Sequence, residues 1–268
     1  MELKVNEATR VAGHIGVSVR IGEGEIKARV IQREFRGFEP LLKDRPLEEA
    51  PLYTSRICGI CQVAHALASV KAVEDGLSIS VSREVEVLRE VANLAGTIQS
   101  HLLHLFLLIA PYGLGGEIAP VAVQPKLNAM VRSIIAGRDK AQRMISDICG
   151  RAVHPITIVA GGFSKGLGVE DVSRVASTGG KLTKDMTELS EVMLPIVESE
   201  VRERGLCLGT RYMCSSDDDI IVQDHDGKKT LSFDVSHYRE HIGEVEAEAG
   251  YGRRPYLKAF GHPEGFIR

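Results

Sequence analysis

The chain predicts a mainly α fold with small β hairpins, its long helices gathered into a bundle. Two apolar stripes at helical spacing, from Val85 to Ile109 and from Leu127 to Ile148, carry most of that expectation. Short alternating segments near Ile15–Val30 and Ile220–Phe233 confine the β structure to the margins.

From Ile15 to Ile21 apolar and small or polar residues alternate. Gly22-Glu23-Gly24-Glu25 then offers a turn, and Ile26, Ala28 and Val30 resume the alternation, which describes a hairpin. Beyond Ser82, Glu84 and Glu86 suit the positive end of a helix dipole. Val85, Leu88, Ala92, Ala95, Ile98, Leu102, Leu105 and Ile109 follow at helical spacing, about seven turns that Pro111 stops. A glycine-rich link from Gly113 to Gly116 leads to Pro125, a good first-turn residue. Leu127, Met130, Ile134, Ala141, Ile145 and Ile148 then line a second long helix. A third helix is expected from Lys181 to Arg204, kinked or divided by Pro195. Asp226-Gly227 between Ile220 and Phe233 marks a second hairpin. No repeat, low-complexity tract or linker divides the chain, so residues 1–268 are read as one domain. The tail from Tyr251 to Arg268 mixes aromatic and apolar residues with Gly and Pro, and reads as cut inside a larger packed structure.

Composition narrows the function classes. With 268 residues, 44% of them hydrophobic, the chain can bury a sizeable core. Its 33 basic and 36 acidic residues leave a formal charge of −3, no footprint for nucleic acid or an anionic membrane. Absence of Trp and 5% aromatic residues argue against a base-stacking surface. The longest apolar run, Leu102 to Pro111, contains His104 and falls short of a membrane span. The leading MELKVNEATR lacks an apolar signal core, which points to the cytoplasm. Five cysteines, two of them closely paired, do not make a secreted disulfide framework.

That pair is the most informative feature. In Arg56-Ile57-Cys58-Gly59-Ile60-Cys61-Gln62-Val63-Ala64-His65, two thiols three residues apart can face one metal ion. If a helix begins here, His65 shares the face of Cys61. A helix N-terminus and the nearby Arg56 should leave both thiols readily deprotonated, as soft-metal ligands. Half of a zinc site is one alternative, although no second CxxC or His pair stands at finger-like spacing and Cys149, Cys207 and Cys214 are isolated. A thioredoxin-type redox pair is another, set against long helices in place of a βαβ pattern.

The segment Arg56 to His65 matches RxCGxCxxxH at all five fixed positions, and so resembles the first cysteine signature of nickel-iron hydrogenase large subunits. Further segments follow in the order of that family. Thr9-Arg10-Val11-Ala12-Gly13-His14 resembles TRxEGH, and Phe35-Arg36-Gly37-Phe38-Glu39 resembles FRGxE. His154-Pro155, followed by Gly161-Gly162, resembles HPxxxxxGG, and Pro255 to Gly265 resembles the stretch before the family's last third. The resemblance covers essentially the whole chain, in the style of cytosolic hydrogenases that reduce coenzyme F420 or NAD(P), or feed a heterodisulfide reductase.

The resemblance implies the large-subunit fold, incomplete at its C-terminus, and reversible hydrogen oxidation at a nickel-iron centre whose iron carries cyanide and carbon monoxide. Cys58 would be a terminal nickel ligand, Cys61 would bridge nickel and iron, and His65 would hydrogen-bond near the bridging sulfur. Glu39 would bind magnesium or iron as a hard oxygen ligand. Arg10 and His14 would support the site, and His154 would face the iron-sulfur relay of a small subunit. Electrons would leave through the clusters of that partner.

Two departures stand beside the matches. The family's second pair, DPCxxC, is not in this sequence, and Cys207 and Cys214 lack its spacing. Ala12 occupies the position of a glutamate implicated in moving protons, and alanine can neither accept nor donate one. Three explanations follow: a split subunit completed by a separate chain bearing DPCxxC, an inactive truncated product, or a hydrogenase-derived scaffold without nickel.

Overall fold

The computed structural model describes residues 1–8, 11, 13–22, 24–32, 37–105, 125–203, 211–216, 219–246 and 252–261. In chain order its elements are β1 Glu2–Val5, β2 Ile15–Gly22, β3 Glu25–Gln32, α1 Phe38–Leu42, α2 Ala50–Thr54, α3 Gln62–Leu77, α4 Arg83–His104 and α5 Pro125–Cys149. There follow β4 Ile158–Val159, β5 Gly162–Phe163, α6 Val169–Glu203, β6 Tyr212–Ser216, β7 Asp219–Gln223, β8 Lys229–Asp234, α7 Tyr238–His241, β9 Ile242–Glu246 and β10 Arg253–Leu257. They fall into two compact units, one formed by residues 37–200 and the other by 1–36 with 201–268.

The second of these units holds the small sheets apart from the β4–β5 pair, which lies in the helical unit. β2 and β3 pair antiparallel from Ile15↔Gln32 to Gly22↔Glu25, with β1 on the other side of β2. The closing turn is the one expected from the glycines, and Gly24 has φ +82°. In the β6-β7-β8 sheet, Asp224 Oδ1 accepts from the backbone N–H of Asp226 and Lys228, and Gly227 supplies φ +79°. β9 and β10 form a separate pair. Val222, Phe233 and Leu257 make a small core here.

The helical unit is built on the predicted stripes. Ala92, Ala95 and Leu102 of α4 are buried, as are Met130, Ile134, Ala141, Ile145 and Ile148 of α5. They join Val63, Ala66, Leu67 and Val70 of α3 and Val175, Leu182, Leu189 and Met193 of α6 in two clusters. Small residues let the helices approach closely: a Cβ on Gly96 would lie 3.6 Å from that of Val63. One on Gly137 would lie 2.7 Å from Met186 Cε and 3.2 Å from Leu102 Cδ1.

Two expectations need correction. α6 begins at Val169, well before Lys181, and runs unbroken through Pro195. Its start is set by Asp171, whose carboxylate accepts from the Gly168 N–H at 3.1 Å, while Val172 N–H donates to the Gly168 carbonyl at 3.0 Å. Gly179-Gly180 obscures this early part in the sequence. The expected extension of α4 to Ile109, the link 113–116 and the final residues of the tail lie outside the described residues.

Candidate metal centre

The paired cysteines sit between α2 and α3. Ser55, wholly buried, turns the chain out of α2: its N–H donates to the Pro51 carbonyl at 3.1 Å and its hydroxyl to the Leu52 carbonyl at 2.9 Å. Arg56 N–H and Ile57 N–H continue the turn onto the carbonyls of Tyr53 and Thr54. The loop then folds over Cys58, whose Sγ accepts from the N–H of Ile60 at 3.3 Å and of Cys61 at 3.2 Å. Cys61 is the N-cap of α3, with φ −100° and ψ 24°, and its side chain does not cap the helix.

This geometry splits the two thiols. Burial pushes Cys58 up, but hydrogen bonds from the Cys61 thiol and from the N–H groups of Cys61 and Ile60 outweigh it and hold Cys58 below its ordinary value. Burial, the hydrogen bond its thiol makes to Cys58 and the charge of that neighbour push Cys61 up to about 11. The two thiols are thus unequal, the proton held more firmly on Cys61 than on Cys58. The expectation of readily deprotonated thiols therefore agrees in direction for Cys58 and is corrected for Cys61. Arg56 does not act on them in the way expected, because its guanidinium turns back to the Leu52 carbonyl and, at 3.1 Å, to the Ser55 hydroxyl.

His65 lies one turn beyond Cys61, half-buried, its N–H on the Cys61 carbonyl at 3.2 Å. Its own carbonyl accepts from Thr54 Oγ1 at 3.3 Å, tying α3 to α2. His154, distant in sequence, is brought to the same loop: its Nδ1 is 2.9 Å from the Ser55 carbonyl oxygen. A carbonyl can only accept, so Nδ1 carries the proton, and Nε2 of the neutral ring is left as an acceptor. Glu39 is exposed in the first turn of α1. His14 is exposed just before β2, in the other compact unit. Arg10 and Ala12 lie outside the described residues.

Sequence reasoning passed over Gln62. It is fully buried, and its Nε2 donates to the Ala152 carbonyl at 3.2 Å. The available signal was a polar side chain heading the apolar face of α3 that continues through Ala66, Val70 and Val73. The paired glycines also have a partner. Gly161 N–H donates to Glu74 Oε1 at 2.8 Å, and Arg89 reaches the carbonyls of Val159 and Gly162 at 3.1 and 3.4 Å.

Two adjacent sulfurs, one of them accepting two backbone N–H groups, suit a soft metal. Among the described residues no group of three or more His, Cys, Asp or Glu side chains converges on one point. The described residues thus present two sulfur donors at this loop. Among the described residues, no helix is long and apolar enough to cross a membrane.

Comparison with known proteins identifies similar chains. The family model described as nickel-dependent hydrogenase matches residues 36–111, the span that contains the cysteine pair. The vhu F420-non-reducing hydrogenase of Methanocaldococcus jannaschii has a subunit 30% identical over 288 residues, an alignment covering 100% of this chain and 68% of that protein. The NAD-reducing hydrogenase HoxS subunit beta of Cupriavidus necator is 29% identical, with 100% of this chain and 61% of that one covered. Among solved structures, an NAD+-reducing [NiFe]-hydrogenase in the H2-reduced state superposes with a TM-score of 0.88 at 27% identity, over 100% of this chain and 64% of that chain. The chain thus spans about two thirds of the length of these relatives.

Proposed function

We propose, on the premise that this chain belongs to the nickel-dependent hydrogenase family, that it contributes half of the metal centre of a nickel-iron hydrogenase catalytic subunit. The observation that carries the reading is the Cys58–Cys61 pair at the start of α3, with two N–H groups directed at Cys58 Sγ. Cys58 stands ready as a terminal ligand, and Cys61 gives up its proton on ligation. His65 orients the loop from α3, and Glu39 is a hard oxygen donor for magnesium. A nickel-iron group with cyanide and carbon monoxide on iron, when bound, supplies the heterolytic cleavage of hydrogen. The remaining thiolates come from a DPCxxC segment outside this sequence, and electrons leave through an iron-sulfur small subunit. F420-, NAD(P)- or heterodisulfide-reductase-linked subunits are the acceptors that fit relatives of this kind, and the cytoplasm is the compartment.

The test is metal analysis of the chain purified from its native host with whatever accompanies it. Nickel and iron are expected together with a DPCxxC-bearing chain, and Cys58→Ser should abolish both nickel and hydrogen uptake. A complex without nickel, whose hydrogen uptake is unchanged in Cys58→Ser, would overturn the reading. Ala12 favours a second one, a non-catalytic scaffold without a proton-passing carboxylate at that position. Nickel present with no turnover, restored by Ala12→Glu, would locate the defect at that residue.

A further inference from the structure

We infer that Gln62 and His154 are positioning residues which clamp the cysteine loop at both ends onto one short segment, residues 152–154, a proposal that rests on the metal-centre reading only for what the loop holds. His154 binds the Ser55 carbonyl just before the loop, and Gln62 binds the Ala152 carbonyl just after it. Local bonds tie Ser55 to α2, and Gln62 opens α3, so each end is fixed within its own helix. The 152–154 segment spans both ends and, together with the bond from Thr54 to the His65 carbonyl between α2 and α3, holds their separation, and with it the approach of the Ile60 and Cys61 N–H groups to Cys58 Sγ.

Neither residue is placed for stability alone. Gln62 is fully buried, yet its Oε1 has no hydrogen-bond partner among the described residues. An apolar side chain would fill that position without stranding an acceptor. His154 holds φ +58° directly before the buried Pro155, a conformation that a side chain and a following proline both disfavour. Such backbone persists where its surroundings over-determine it, and the ring's bond to Ser55 is one of those surroundings.

The test is hydrogen exchange of the full chain followed by mass spectrometry, with nickel(II) titration as a second readout. Gln62→Leu removes one grip. His154→Gly keeps the backbone conformation and removes the other, and His154→Asn keeps both the conformation and a donor. Gln62→Leu and His154→Gly should speed exchange in the 55–62 peptide by about tenfold or more, with α4 and α5 unchanged, and His154→Asn should restore much of the protection. Nickel(II) affinity should fall by about 10–100-fold in the first two variants, as for loss of groups that orient a metal's ligands. Exchange within twofold of the parent at 55–62, or equal acceleration across all the helices, would overturn the clamp. Local acceleration in the two variants, in a chain whose native complex contains no nickel, would support the clamp and overturn the metal-centre reading instead.

Discussion

Glu74 and Arg89 meet in a two-pronged ion pair inside the helical unit, Nη1 to Oε2 at 2.8 Å and Nη2 to Oε1 at 2.7 Å, with the side chains 8% and 4% exposed. Glu74 also accepts from Gly161 N–H, and Arg89 reaches the β4–β5 hairpin carbonyls. Together the two side chains join α3, α4 and the segment that follows His154.

Breaking a buried pair from one side leaves a charge uncompensated. Arg89→Ala should therefore destabilise the chain by about 3–5 kcal/mol, and Glu74→Ala by a similar amount. The double variant should cost less than the sum, which urea denaturation of all four proteins would show. Arg89's hydrogen bond, outweighing burial, holds the Glu74 carboxyl below its ordinary value of 4.5. A carboxylate lowered by folding contributes stability above its unfolded value and loses it as pH falls through the lower folded value. The acid limb of the stability profile should accordingly flatten in Glu74→Gln.

Gly150 ends α5 with φ +74°, and a Cβ there would lie 2.9 Å from Thr157 Cγ2. Gly150→Ala should cost about 1–3 kcal/mol from backbone conformation alone. Because Gly150 introduces the loop that carries His154, exchange protection of residues 152–157 should fall as well.

At Gly137 the helices α4, α5 and α6 meet across a single hydrogen atom. Gly137→Val should destabilise by about 1–3 kcal/mol through overpacking. Shortening the flexible Met186, the nearest neighbour, should recover part of that loss. Additive effects of Gly137→Val and Met186→Ala in thermal melts would show that the contact is not shared.

Cys149 is wholly buried, and burial pushes its thiol up to about 12. In native protein at pH 8 it should resist iodoacetamide while the half-buried Cys58 is modified; in urea it should react. Native-state labelling of Cys149 would show that α5 opens at its C-terminal end.

What could be read in the sequence was whatever repeats locally. Val85 to Leu105 and Leu127 to Ile148 announce their helices because one face of each is buried, and Asp226-Gly227 announces its turn through backbone preference. The start of α6 was hidden because Gly179-Gly180 lowers helix propensity where packing of Val175 and Leu182 decides the outcome. At the site, the CxxC spacing was legible, but the inequality of its sulfurs was not. That inequality comes from the two N–H groups that the loop turns toward Cys58 Sγ, a matter of backbone path that spacing does not encode. Gln62 and His154 were opaque as a pair for a related reason: their partners lie far along the chain, where no periodicity reaches.

That distance has a temporal consequence. The contacts holding the cysteine loop span 90 residues from Gln62 to Ala152 and 99 from Ser55 to His154. A growing polypeptide that has just released both cysteines from the ribosome has not yet made either anchor. The loop reaches its final geometry only after α3, α4 and α5 have been synthesised and packed. Unlike a zinc finger, whose metal organises the fold, this chain brings its cysteine loop to its final geometry through contacts within the protein, late in its folding.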